Sequence, residues 1–257
     1  MSGKSALSST FFRDAFDTQP SRTTLLLGRT MSEGYGPTRW GRQTSAIPAM
    51  WTIISLNLLV WGGWTYARVN GDRGLLRQLN DNFILSWQNF REGRQWTLIT
   101  SAFSHIAPMH LAFNMFSFYN FVQIGLSWIP GIGASHILAL SLGSGFAGSA
   151  AFLYQKRSGR FGREAALGAS GMVMGVGAAA ACLMPRAGVQ LMLIPVPLPL
   201  WAVTVGYVAI DTYFLKSETS RIGHSAHLGG AAAGVAYYLA FLRGYGGIWQ
   251  MAMRRRR

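Results

Sequence analysis

Charge is what this sequence is short of. Its 257 residues include 23 Lys and Arg and 9 Asp and Glu. None of these falls between Gln95 and Gln155, and shorter charge-free stretches run 43–67, 165–185, 187–210 and 222–242. A soluble domain carries a charge at about every fourth or fifth position, so these gaps exclude a water-exposed surface over most of the chain. Segments of about 20 apolar residues suit the hydrocarbon core of a bilayer, and the chain reads as a polytopic membrane protein. Cysteine is nearly absent as well. With Cys182 alone no internal disulfide can form, and its apolar setting makes it a small buried hydrophobe. Only one acid, Asp211, lies inside an apolar run, which excludes a paired-carboxylate protease of the membrane interior. No histidine is followed by glutamate, so the HExxH zinc motif is missing. The first 46 residues contain no long apolar core. A standard secretory signal is thereby excluded, and a mitochondrial targeting segment and a plain basic tail remain as equal readings.

What is present is a succession of helical runs. The 61-residue charge-free stretch is too long for one span, and it breaks at Trp128–Gly133, where proline and glycine favour a turn. Six transmembrane helices are expected, at 48–67, 107–127, 132–154, 169–184, 197–214 and 225–243. The expected fold class is an all-α polytopic membrane protein, a six-helix bundle over 47–244 between a basic tail at 1–46 and another at 245–257. The connection 68–106 holds Phe83, Ile84, Leu85, Trp87 and Phe90, an amphipathic insert suited to the bilayer interface. By contrast, 155–165 reads as a short, basic, solvated connection. The net charge of +14 comes from the tails and connections, which suits topology signals and anionic headgroups rather than nucleic acid. The partner these basic flanks imply is the lipid bilayer.

Polar groups inside spans are costly and need a reason. His110 and Asn114, four residues apart, share a helix face. His105 lies just before that helix. His136 and His224 sit near helix ends, where a helix–helix hydrogen bond or interfacial water accounts for them. Asp211, close to Lys216 at the end of the fifth span, reads as a snorkelling or locally paired acid.

The stretch LGASGMVMG, 167–175, opens the fourth span with a serine between Gly168 and Gly171. Glycine there permits close approach. A serine at a helix N-terminus lies beside unpaired backbone N–H groups that can receive a developing oxyanion. Taken alone, the motif is equally a small-residue packing surface. A nucleophilic serine needs a base, and His227 is a candidate. Gly230 and Gly234 after it form a GxxxG surface that would pack the sixth helix on the glycine-rich fourth and bring His227 toward Ser170. His110 and Asn114 would then be further oxyanion donors.

Taken together, these residues resemble the rhomboid intramembrane serine proteases over about 90–240. The resemblance rests on His105-x4-His110-x3-Asn114, on Gly168-Ala169-Ser170-Gly171, and on Ala226-His227-x2-Gly230, in that order on separate spans. It implies a catalytic dyad of Ser170 and His227 without an acid. The oxyanion hole would be formed by the Ser170 N–H, His110 and Asn114, with Gly168 positioning substrate and His105, Gly171, Gly230 and Gly234 in support. No metal or cofactor is implied. The implied substrates are transmembrane segments of other proteins, cut near a membrane face at small, helix-weakening sequences. Two positions depart from common members of the family. Trp96-Thr97 stands where many have Trp-Arg, and Met174 where bacterial members often place a tyrosine packed against the histidine. Both departures, with WTLITSAFSH at 96–105, look more like the mitochondrial, presenilin-associated type, so the mitochondrial inner membrane is the favoured location and another intracellular membrane the alternative. An inactive relative that escorts membrane clients and a channel lined by His and Asn are the rival readings.

Overall fold

A computed structural model describes residues 46–157, 164–191, 194–217, 220 and 222–254. The N-terminal tail up to residue 45 lies outside the described residues. Helix α1, Ala46–Val69, is a 24-residue apolar run with Pro48 in its first turn, where no amide partner is needed. Asp72 caps α2, Arg73–Phe83, by accepting from the Leu75 N–H at 2.9 Å. Strand β1, Leu85–Ser86, leads to the short helices α3, Trp87–Arg91, and α4, Thr97–Thr100, and to a single 3-10 turn. Helix α5, Pro108–Phe121, continues through a π turn to Leu126. The Pro-Gly break at 128–133 separates it from α6, Ala134–Lys156. Strand β2, Ala165–Ala166, precedes α7, Ser170–Leu183. A hairpin of β3, Gly188–Leu191, and β4, Ile194–Pro199, joins it to α8, Leu200–Phe214. Helix α9, His224–Tyr237, again ends in a π turn and is followed by α10, Ile248–Arg254. The long helices α1, α5, α6, α7, α8 and α9 therefore lie where the six apolar runs lie. Two of them, α1 and α6, are long and apolar enough by themselves to cross a membrane, whereas α7 and α8 are shorter apolar helices.

The bundle turns large apolar side chains outward, among them Leu59, Trp201, Tyr213 and Phe241, as expected where the surrounding solvent is lipid rather than water. Its centre is α7. Thirteen of the fourteen α7 residues are buried, and the helix is walled by α5, α6 and α9. The seam between α7 and α9 has almost no side chains. A methyl group built on Gly230 would overlap the carbonyl of Gly171, and one on Gly234 would overlap the carbonyl of Gly175. On the other flank, a methyl on Gly148 of α6 would come 2.6 Å from the Ala226 carbonyl oxygen. Small residues thus let three backbones touch, the packing that replaces hydrophobic drive inside a membrane.

The connection 68–106 packs several of its apolar side chains on the bundle. Leu85 is buried, and Trp87 and Phe90 pack with Phe152, Leu153 and Ala226, while Phe83 and Ile84 pack near Trp64 and Leu79. These side chains face the protein because β1 pairs antiparallel with β2, Leu85 opposite Ala166 and Ser86 opposite Ala165. At the described ends of the 155–165 connection, Lys156 binds Glu164 at 2.7 Å, while residues 158–163 lie outside the described residues. The basic C-terminal tail is not plain tail, since α10 forms there. The buried Tyr238 hydroxyl anchors it, donating to the Gly246 carbonyl at 2.9 Å and accepting from the Trp249 N–H at 3.0 Å.

Candidate active site

Ser170 is the first residue of α7, and the chain before it is shaped to expose it. Gly168 has φ +127, and a Cβ there would lie 2.6 Å from Cε1 of His110. Both the backbone conformation and the space require glycine. The Gly168 N–H donates to the Ser101 carbonyl at 2.9 Å. Next, the Ala169 N–H donates to Nε2 of His105 at 3.2 Å, and Asn114 Nδ2 lies 3.1 Å from the same nitrogen. His105 is fully buried, and this burial, with the neighbouring His110, lowers its pKa to about 3. A neutral ring with its lone pair on Nε2 accepts from both sides. His105 is therefore a clasp between α5 and the turn that delivers Ser170. Replacing it with alanine orphans the buried Ala169 N–H, and is expected to cost about 1–3 kcal/mol, read as a lowered Tm in detergent.

The first turn of α7 leaves N–H groups at Ser170, Gly171 and Met172 without helical acceptors, since the Val173 N–H is the first to bond, to Ala169 at 2.9 Å. Ser170, Gly168, His110, Asn114 and His227 all line one cavity of about 1090 Å³ inside the bundle. No hydrogen bond joins Ser170 to His227 among the described residues. His110 presents its ring to this cavity. Asn114 is differently placed from the free donor expected of it: one amide hydrogen is engaged by the His110 carbonyl at 3.0 Å and the other faces His105. Gly171, Gly230 and Gly234 lie in the α7–α9 seam.

Asp211 is the residue that sequence reasoning misplaced. It does not pair with Lys216; its side chain is buried and lies 2.7 Å from Nδ1 of His224 and 3.0 Å from Nδ1 of His227. The reason is helical geometry. Helix α8 ends at Phe214, before Lys216, and the face of α8 bearing Asp211 is the one packed on α9. His224 is accordingly buried rather than open to interfacial water, with Nε2 on Ser220 Oγ at 2.8 Å. The signal was available: one carboxylate in a span, followed by His-x2-His on the next helix. These three residues, whose ligand atoms lie within 4.8 Å of one another, are also the described set that could hold a metal ion. Imidazole N–H groups on a carboxylate account for the same arrangement without one. His224 thereby makes the helix–helix hydrogen bond read for it, to Asp211, and His136 makes its own, to the Tyr237 hydroxyl at 2.9 Å.

The two departures from common family sequences are both accommodated. Thr97 is buried and donates to the Arg94 carbonyl at 2.7 Å. Met174 packs with Ala178, Ala231 and Val208.

Residues 92–244 match the Rhomboid domain family. This chain belongs to the rhomboid family. Among its curated relatives, RHOMBOID-like protein 12, mitochondrial, of Arabidopsis thaliana is 34% identical over 177 residues, covering 64% of this chain and 52% of the relative. Rhomboid protein 1, mitochondrial, of Saccharomyces cerevisiae is 29% identical over 189 residues, covering 73% and 51%. Presenilin-associated rhomboid-like protein A, mitochondrial, of Danio rerio is 30% identical over 187 residues, covering 72% and 45%. The chain spans about half the length of the curated relatives it matches. It is a helical membrane protein of this family, similar to members named as mitochondrial.

Proposed function

We propose that this rhomboid is an intramembrane serine endopeptidase with six transmembrane helices. Ser170 would be the nucleophile and His227 the general base, acting on transmembrane segments of other proteins in a mitochondrial membrane. The observation that supports the reading most is the convergence of Ser170, at an N-terminus with free backbone donors, with His227 and His110 on one cavity inside an otherwise apolar bundle. Such polar groups are tolerated at membrane depth where they line a cavity.

In the proposed reaction Ser170 Oγ attacks the scissile carbonyl carbon while its proton passes to Nε2 of His227. The carbonyl oxygen becomes an oxyanion held by the first N–H groups of α7 and by His110. One such donor is worth about 10²–10³ in rate. Collapse of the tetrahedral intermediate sends the proton from His227 to the leaving amine. Water then hydrolyses the acyl-enzyme with His227 again as base. Asn114 contributes by fixing His105 and the first turn of α5, and would need to release a hydrogen to donate directly.

The test is labelling with a fluorophosphonate, beside cleavage of a panel of single-span proteins. The wild type is expected to be labelled and to cut near a membrane face, and Ser170→Ala to do neither. A folded wild type that is neither labelled nor active on any substrate would instead support the inactive, client-escorting reading.

A further inference from the structure

Asp211 is buried at 3% exposure, beside His224 at 6%. Among the described residues its hydrogen bonds and ion pairs are with two imidazoles: Oδ1 lies 2.7 Å from Nδ1 of His224, and Oδ1 and Oδ2 lie 3.0 and 3.1 Å from Nδ1 of His227. We infer that Asp211 is a positioning residue for His227, fixing the tautomer and orientation of the imidazole that serves Ser170. The inference rests on the serine protease reading and adds an acid to what was read as a dyad.

The chemistry follows from counting donors and acceptors. An ionised carboxylate only accepts, so each Nδ1 that faces it carries a hydrogen. Each neutral ring then has its lone pair on Nε2. For His224 that lone pair is taken, because Ser220 Oγ sits 2.8 Å away and donates. For His227 no hydrogen-bond partner of Nε2 lies among the described residues, and the ring lines the cavity shared with Ser170. The nitrogen left to face the serine is therefore the one able to take a proton. When Ser170 Oγ bonds to the substrate carbonyl, its proton moves to Nε2, and His227 becomes an imidazolium with both nitrogens protonated. The carboxylate behind Nδ1 stabilises that cation and keeps no proton itself. Its own burial explains the second histidine, since an intramembrane carboxylate needs more than one donor.

A role confined to holding α8 against α9 would place the same three side chains together, so the test must separate the two. Asp211→Asn preserves volume but has one acceptor oxygen for two imidazole N–H groups, and adds an N–H₂ donor. That oxygen can still accept from both rings, but both carboxylate oxygens face Nδ1 of His227. The amide donor is therefore set against that N–H in either orientation and disturbs the tautomer or aim of His227. The expected result is a fall in kcat, and in the rate of fluorophosphonate labelling, of about 10²–10⁴. KM should stay within about twofold, and Tm within a few degrees, as for a change confined to the reacting geometry. Asp211→Glu should fall between, at least about tenfold above Asn and about threefold below wild type, because the charge is restored but displaced.

Wild-type kcat in Asp211→Asn, or a loss confined to KM, overturns the assignment. So does a loss that follows Tm and is not recovered by glutamate. If the asparagine variant does not fold, Asp211→Glu decides: reduced kcat at unchanged KM supports the role, and a wild-type rate overturns it. Ser170→Ala runs alongside. If it is labelled and cleaves like the wild type, the protease reading itself falls. If it is silent while Asp211→Asn is at wild-type rate, only the role of Asp211 falls.

Discussion

His227→Ala is expected to lower kcat for cleavage by about 10⁶-fold, and adding Ser170→Ala to it is expected to lower it no further. A serine and its base act as one unit: without the imidazole the hydroxyl stays protonated, and without the hydroxyl the imidazole has nothing to activate. Residual turnover in either single variant would come from substrate binding and the α7 N–H groups alone, which both variants keep. KM should change little, since neither side chain is needed to seat a helix. The double-variant cycle is the measurement, using purified protein and a single-span substrate. Additive losses would mean that the two residues act separately, contrary to a shared proton transfer.

Gly230→Leu is expected to be the most damaging packing change. A side chain there runs into the oxygen, carbon and Cα of Gly171. Overfilling a core costs about 1–3 kcal/mol when neighbouring side chains can give way. Here the obstruction is backbone, so the cost should reach the top of that range or exceed it, and α7 and α9 must separate. Loss of the cooperative melt in detergent, or a sharply lowered Tm, is the readout. Gly206→Ala on α8, with nothing within 4 Å of the added carbon, is the control. It should melt at or slightly above the wild type, since alanine favours a helix over glycine. Equal Tm values for the two variants would sink this account of the seam.

The helices were legible because hydrocarbon imposes a coarse rule on sequence: charge disappears for the length of a span. That rule located α1, α5, α6, α7, α8 and α9 to within a few residues. The glycines of α9 were legible too, because a small-residue repeat with no other use implies a close neighbour. The two-residue pairing of Leu85–Ser86 with Ala165–Ala166 was not. Such short strands carry no periodicity, and their partners are 79 and 81 positions apart in the chain. Asp211 was visible as a residue but not as a partner. Sequence proximity favoured Lys216, whereas the rotation of α8 against α9 decides which face turns inward. Asn114 shows the opposite limit. Its spacing from His110 set it on the right face, but spacing carries no sign that both amide hydrogens are engaged, by His105 and by the His110 carbonyl.

His227, Gly230 and Gly234 stand three and seven positions apart on α9, and so lie along one stripe of the helix. The glycines fix the rotation and height of that stripe against Gly171 and Gly175, one and five residues after Ser170. The two helices are thus meshed like a pair of racks, with the histidine and the serine each a set number of teeth from the contact. Sliding or turning either helix would require the racks to disengage. The relative height of His227 and Ser170 is thereby inherited from backbone contact, which in the proposed mechanism would leave Asp211 only the finer task of aiming the ring.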